Sequence, residues 1–170
     1  MARRPFVGDL QDGQAKLNGY LDDYAFLLDA LLEPMQAEFR PQDLAFAQDL
    51  AERMLAQFED PESGGFYFTR HDHEQLIHRP KPGPDNATPS GHGIAVHVLQ
   101  RLGHALGEPR FLESSERALT LFYPAVARQP AGYTTLRAGL KEHLSPTIVV
   151  VRGPEADLST WQIVGLVPAI

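Results

Sequence analysis

Cysteine is absent from the 170 residues, so this chain can build no disulfide, no thiolate metal site and no cysteine nucleophile. Basic charge is scarce. Fifteen Lys and Arg stand against 22 Asp and Glu, a formal net charge of -7, and a nucleic-acid partner would call for a basic face. No apolar run approaches the roughly 18 residues that span a bilayer. The opening MARRPFVGDL lacks the apolar core of a secretory signal. A soluble, cytoplasmic protein with neither nucleic-acid nor membrane partner is the expectation. No phosphate-binding glycine motif and no Ser-His-Asp order occurs, and no cofactor is expected. What the chain does have is length enough for one domain with a real core, and 14 each of glycine and proline to punctuate it.

Residues 1–16, interrupted by Pro5, Gly8 and Gly13, read as an arm without periodicity. From about Lys16 to Glu38, Leu17, Tyr20, Leu21, Tyr24, Leu28, Leu31 and Met35 recur at helical steps, with Phe26 and Leu32 widening the stripe. Pro34 should end the regular part near Glu33. Pro41 suits a first helical turn, and Leu44, Ala47, Ala51, Met54, Leu55 and Phe58 give a one-sided stripe, as in an outer helix. In DPESGGFYFT the alternation of Phe66, Tyr67 and Phe68 predicts a short strand or extended loop. A charged, proline-rich loop follows to Pro89; loops of that length are functional or disordered. A third helix is expected over about 91–106, a fourth over 109–127 and a short fifth over 136–144. The run TIVVV, Thr147 to Val151, reads as a late buried strand, and the tail to Ile170 as truncated. The fold class is therefore mainly α: helical hairpins over 17–145, a short extended GGFYF segment, and a strand plus tail over 146–170.

Shifted by 64 residues, AERMLAQF (Ala51 to Phe58) falls on SERALTLF (Ser115 to Phe122). The same shift lays the first helix over the third. Repeated two-helix units stack as a solenoid or close as a ring. Parallel inner helices would bring Asp22, Asp23 and Tyr24 to the same rim as PDNATPSGHG, Pro84 to Gly93. In that stretch Ser90 is a natural N-cap, and free amides at the helix start would face a ligand.

YLDDYAFLLDALL, FEDPESGGFYFT and RPKPGPDNATPSGHG, followed by RFLESSERAL and TIVVVRG, resemble in order the C-terminal half of the thioredoxin-domain-containing proteins typified by spermatogenesis-associated protein 20. The resemblance runs from about Asp12 to Asp157. It implies part of an (α/α) toroid of the six-hairpin, N-acylglucosamine-2-epimerase-like kind, joined in full-length members to a thioredoxin-like domain that this cysteine-free chain lacks. Where the family commonly reads PSGNS, this chain has His92 and Gly93.

A toroid of this kind points toward sugars. Paired carboxylates serve glycoside hydrolysis as acid and base or nucleophile, and Asp22, Asp23 and Asp85 are the candidates. Related epimerases use histidines, which directs attention to His92 or His71. Tyr24, Phe66, Tyr67 and Phe68 could stack on a sugar ring, while Lys81, Asn86, Thr88 and Ser90 could hydrogen-bond it. Each has a plainer role open to it: acids at a helix start answer the macrodipole, and hairpin aromatics fill cores. His71 and His73 have no third ligand at a metal spacing, so no metal site is expected. Two functions follow, a carbohydrate-processing or sugar-binding module and a non-catalytic module packed on a redox domain or partner. Half a ring would leave apolar inner faces bare, which predicts a homodimer that covers them.

Overall fold

A computed structural model describes residues 7–11, 14–72 and 78–147; for 7–11 and 14–18 it describes the backbone alone. An antiparallel pair, β1 (Val7–Gln11) and β2 (Gln14–Asn18), opens the described chain. Five α-helices follow: α1 (Leu21–Leu32), α2 (Pro41–Phe58), α3 (Gly91–Leu106), α4 (Pro109–Arg128) and α5 (Thr134–Leu144). The protein is mainly α, built of packed helical hairpins. The late strand expected at Thr147 to Val151 lies outside the described residues apart from Thr147.

Helix boundaries follow local chemistry. Pro41 and Pro109 occupy first turns, where the missing N–H costs nothing. Ser90 caps α3 by accepting from the Gly93 amide at 3.1 Å. Gly107, at φ +67, ends α3 in the left-handed conformation. Pro34 ends α1, and a single 3-10 turn, Pro34–Gln36, follows. The first helix begins later than its periodicity predicts, because residues from Gln14 pair with β1 instead. Asp23 then reaches back to the Tyr20 amide at 2.8 Å and fixes Leu21 as the start.

Helices α1, α3 and α5 lie in one row, α3 in the middle; α2 packs on α1, and α4 packs on α3 and α5. The row runs parallel, since its N-terminal ends meet: Gly91 touches Asp22, and Gly93 touches Thr135. Any Cβ at Gly91 would collide with the Asp22 carboxylate, and one at Gly93 with Thr135. Glycine at both positions is therefore what permits the close approach. The core lies between the layers, on Tyr24, Leu28, Met54, Phe58, Phe66, Leu99, Leu102, Phe111 and Leu136.

The uncovered face of the row differs from expectation. It carries Asp29 of α1 and Glu33 at its C-terminal end, His97 and Arg101 of α3 and Glu142 of α5; Arg101 forms ion pairs with both acids of the first helix, and His97 lies within hydrogen-bond distance of Glu142. Among the described residues the large exposed apolar side chains are Phe39, Phe46, Tyr123 and Leu144, none of them on α1 or α3.

Candidate functional site

The rim formed by the N-terminal ends of α1, α3 and α5 gathers the polar motifs, and the structure gives each acid a different environment. Asp23 is committed to the Tyr20 amide. Asp85 ties three segments together. One oxygen accepts from the Ser90 amide at 2.9 Å, the other from the Thr134 hydroxyl at 2.6 Å and the Thr135 amide at 2.9 Å. Burial alone would raise this carboxyl, but those three donors outweigh it and hold the pKa down at about 2.

Asp22 is the exception. Its Oδ1 is buried against Gly91 with no hydrogen-bond donor among the described residues. Burial, reinforced by the neighbouring Asp23 charge, pushes its pKa above the ordinary carboxylate value. A carboxyl in this state takes up a proton more readily than an exposed one.

His92 is fully buried. Its Nε2 accepts from the Phe66 amide at 2.9 Å, and its Nδ1 lies 2.7 Å from the Pro82 carbonyl, so Nδ1 carries the proton and donates. Both nitrogens are spent on pinning the GGFYF segment and the proline-rich loop to α3. Phe122 packs edge-on at 4.7 Å. Burial lowers the His92 pKa to about 4, so the ring is neutral and has no lone pair to offer a substrate.

The candidate binding aromatics have become packing and anchoring groups. Phe66 and Tyr24 are core residues, Tyr24 edge-on to Phe58 at 5.0 Å. Phe68 stacks on Tyr20 at 4.8 Å, and its carbonyl accepts from the Leu21 amide, the first of α1. Tyr67 has the Arg79 guanidinium over its ring at 3.9 Å and donates its hydroxyl to Asp60 at 2.8 Å. Lys81 is paired with Asp60 at 2.7 Å and donates to the Gly64 carbonyl as well. Asn86 and Thr88 are exposed beside the rim, the Asn86 amide donating to the Thr88 carbonyl. His71 lies exposed, within 3.1 Å of the Glu59 carbonyl.

Asp60 went unnoticed in the sequence, yet it is the hub of this loop cluster. It accepts from Lys81, Tyr67 and the Glu62 and Ser63 amides, and the Lys81 ammonium foremost drives its pKa far below the carboxylate range. The signal was available: an Asp directly before Pro61 and a Gly64-Gly65 turn is a favoured turn-capping residue. Both glycines are indeed left-handed, at φ +74 and +71.

With mouse (Mus musculus) spermatogenesis-associated protein 20 the chain is 26% identical over 152 residues, 88% of its own length and 19% of that protein. The rat protein matches equally, and the human one is 29% identical over 113 residues, 66% of this chain. The chain is similar to spermatogenesis-associated protein 20. It spans about a fifth of the length of the relatives it matches, and no family model matches it. Among the described residues no helix is long and apolar enough to cross a membrane.

Proposed function

We propose that this chain is part of an (α/α) toroid of a thioredoxin-domain-containing protein and that its rim binds a neutral polar ligand, a sugar being the best chemical match. The observation that carries the reading is Asp22, whose buried Oδ1 has no hydrogen-bond donor among the described residues and whose pKa is raised by burial. Exposed Asn86 and Thr88 supply further polar groups nearby. Glycoside hydrolysis by two free carboxyls is disfavoured, because Asp23 and Asp85 are consumed by backbone amides. The test is saturation-transfer NMR with glucose, mannose and N-acetylglucosamine on wild type and Asp22→Asn. Binding that the substitution weakens supports the proposal, whereas no transfer from any of the three removes it.

The second reading, a non-catalytic module that packs on a redox domain or another partner, draws on the same consumption of Asp23, Asp85 and His92 in structural bonds. In either case we propose a cytoplasmic location and a homodimer in which a second copy covers the α1–α3–α5 face. Since that face is charged, the dimer would weaken with salt. A chain that sediments as a monomer at both low and high ionic strength would exclude it.

A further inference from the structure

The C-terminal end of α1 carries acid where its geometry favours the opposite. Unpaired carbonyls make the last turn of a helix a place for cations, yet α1 closes with Asp29 and Glu33 nearby and no basic residue in that turn. The two carboxylates are four residues apart and share one face. His97 of α3 meets them across the contact between the two helices. One ligating atom from each of Asp29, Glu33 and His97 lies within 4.8 Å of the other two. The Leu32 carbonyl opens onto the same spot, where it accepts from Arg101 at 3.3 Å. The guanidinium of Arg101 supplies the counter-charge, 2.6 Å from Glu33 and 3.5 Å from Asp29. His97 Nδ1 is held 2.8 Å from Glu142 of α5, which leaves Nε2 as the nitrogen to ligate.

We propose that Asp29, Glu33 and His97 form a divalent transition-metal site, suited to Zn2+, that clasps α1 to α3, with Arg101 turning aside as the ion enters. The donor set fits that class. An imidazole with carboxylates suits zinc and its neighbours, while calcium and magnesium favour oxygen alone. Zinc bonds of about 2.0–2.2 Å require the ligand atoms to draw closer than they now lie. Glu33, whose side chain is 57% exposed, can make that movement by changing rotamer. Glu142 takes the outer position, a carboxylate that fixes the tautomer of a ligating histidine. The site lies at the C-terminal end of α1, whereas Asp22 is in its first turn, so it stands or falls independently of the rim.

The experiment is isothermal titration of the full chain with zinc chloride, on wild type, His97→Ala, His97→Gln, Asp29→Asn/Glu33→Gln, Glu142→Gln and Arg101→Gln, with circular dichroism to confirm that each is folded. Wild type should take up one zinc that both His97 variants and the double acid variant lose. Glu142→Gln should bind about tenfold more weakly, and Arg101→Gln more tightly, since a competing cation is gone. Absence of saturable zinc binding by wild type, or unchanged affinity in folded His97 variants, would overturn the site. So would an Arg101→Gln protein that loses stability without gaining zinc affinity.

Discussion

Each of the two helical hairpins sets a ring edge-on to a phenylalanine, and the two use that ring differently. In the first hairpin Tyr24 lies edge-on to Phe58; in the second, His92 lies edge-on to Phe122 at nearly the same separation. The rims diverge further. Asp22, in the first turn of α1, has a buried oxygen with no donor among the described residues, while Asp85, before α3, accepts from three. The feeding segments explain the difference. Helix α1 follows directly from β2, and its start is satisfied by Asp23 and the Phe68 carbonyl. Helix α3 follows a long loop whose buried backbone groups need partners, and Asp85 and His92 supply them. Asp85 and His92, beside the long loop, are thus drawn into structure, as is Asp23 beside the short connection, whereas the buried oxygen of Asp22 meets no donor among the described residues.

That contrast can be broken most severely at His92. His92→Ala would orphan the Phe66 amide and the Pro82 carbonyl and open a cavity, for a loss of roughly 3–5 kcal/mol in denaturant unfolding. The wild type should also lose stability on acidification. His92 has a folded pKa of about 4 against an unfolded value near 6.5, so between those values the unfolded chain binds the extra proton. Stability is full above about pH 6.5 and falls by on the order of 3 kcal/mol as pH drops to 4. Unfolding midpoints measured across that range check it. Asp85→Asn should cost about 1–3 kcal/mol through weakened caps on α3 and α5.

Asp22→Asn sharpens the comparison by moving the other way. Because the folded pKa of Asp22 is raised, its ionised form opposes folding at neutral pH, and removal of the charge should be neutral or stabilising by up to about 1 kcal/mol. Smallest of all, Gly91→Ala would push the Asp22 carboxylate toward solvent. Its pKa, followed by carboxyl-carbon NMR, should fall back toward the ordinary carboxylate value with little change in unfolding midpoint.

Much of the helical framework was legible. Pro41, Pro109, Ser90 and Gly107 are local signals, and the helices begin and end where those residues place them. The 64-residue register of the repeat does not hold, since the helix starts lie further apart than it implies (Leu21 to Gly91, Pro41 to Pro109). On α3 the residue that Asp22 meets is Gly91. The β1–β2 pair was missed, although Asp12-Gly13 between the two runs is a familiar hairpin dipeptide. Also missed was the standing of α5 as a third member of the inner row, for a short helix gives no sign of what it packs against.

From its residues alone, the chain fixes where helices start and stop and which faces are apolar, because caps, prolines and 3.6-residue periodicity act within a few positions. Which carboxyl remains free is settled only when distant segments meet. Thr134 and Thr135 come to Asp85 from 49 and 50 residues away, while the buried oxygen of Asp22 meets no donor among the described residues. Desolvation and hydrogen bonding depend on such neighbours, and so the chemistry of the rim belongs to the fold.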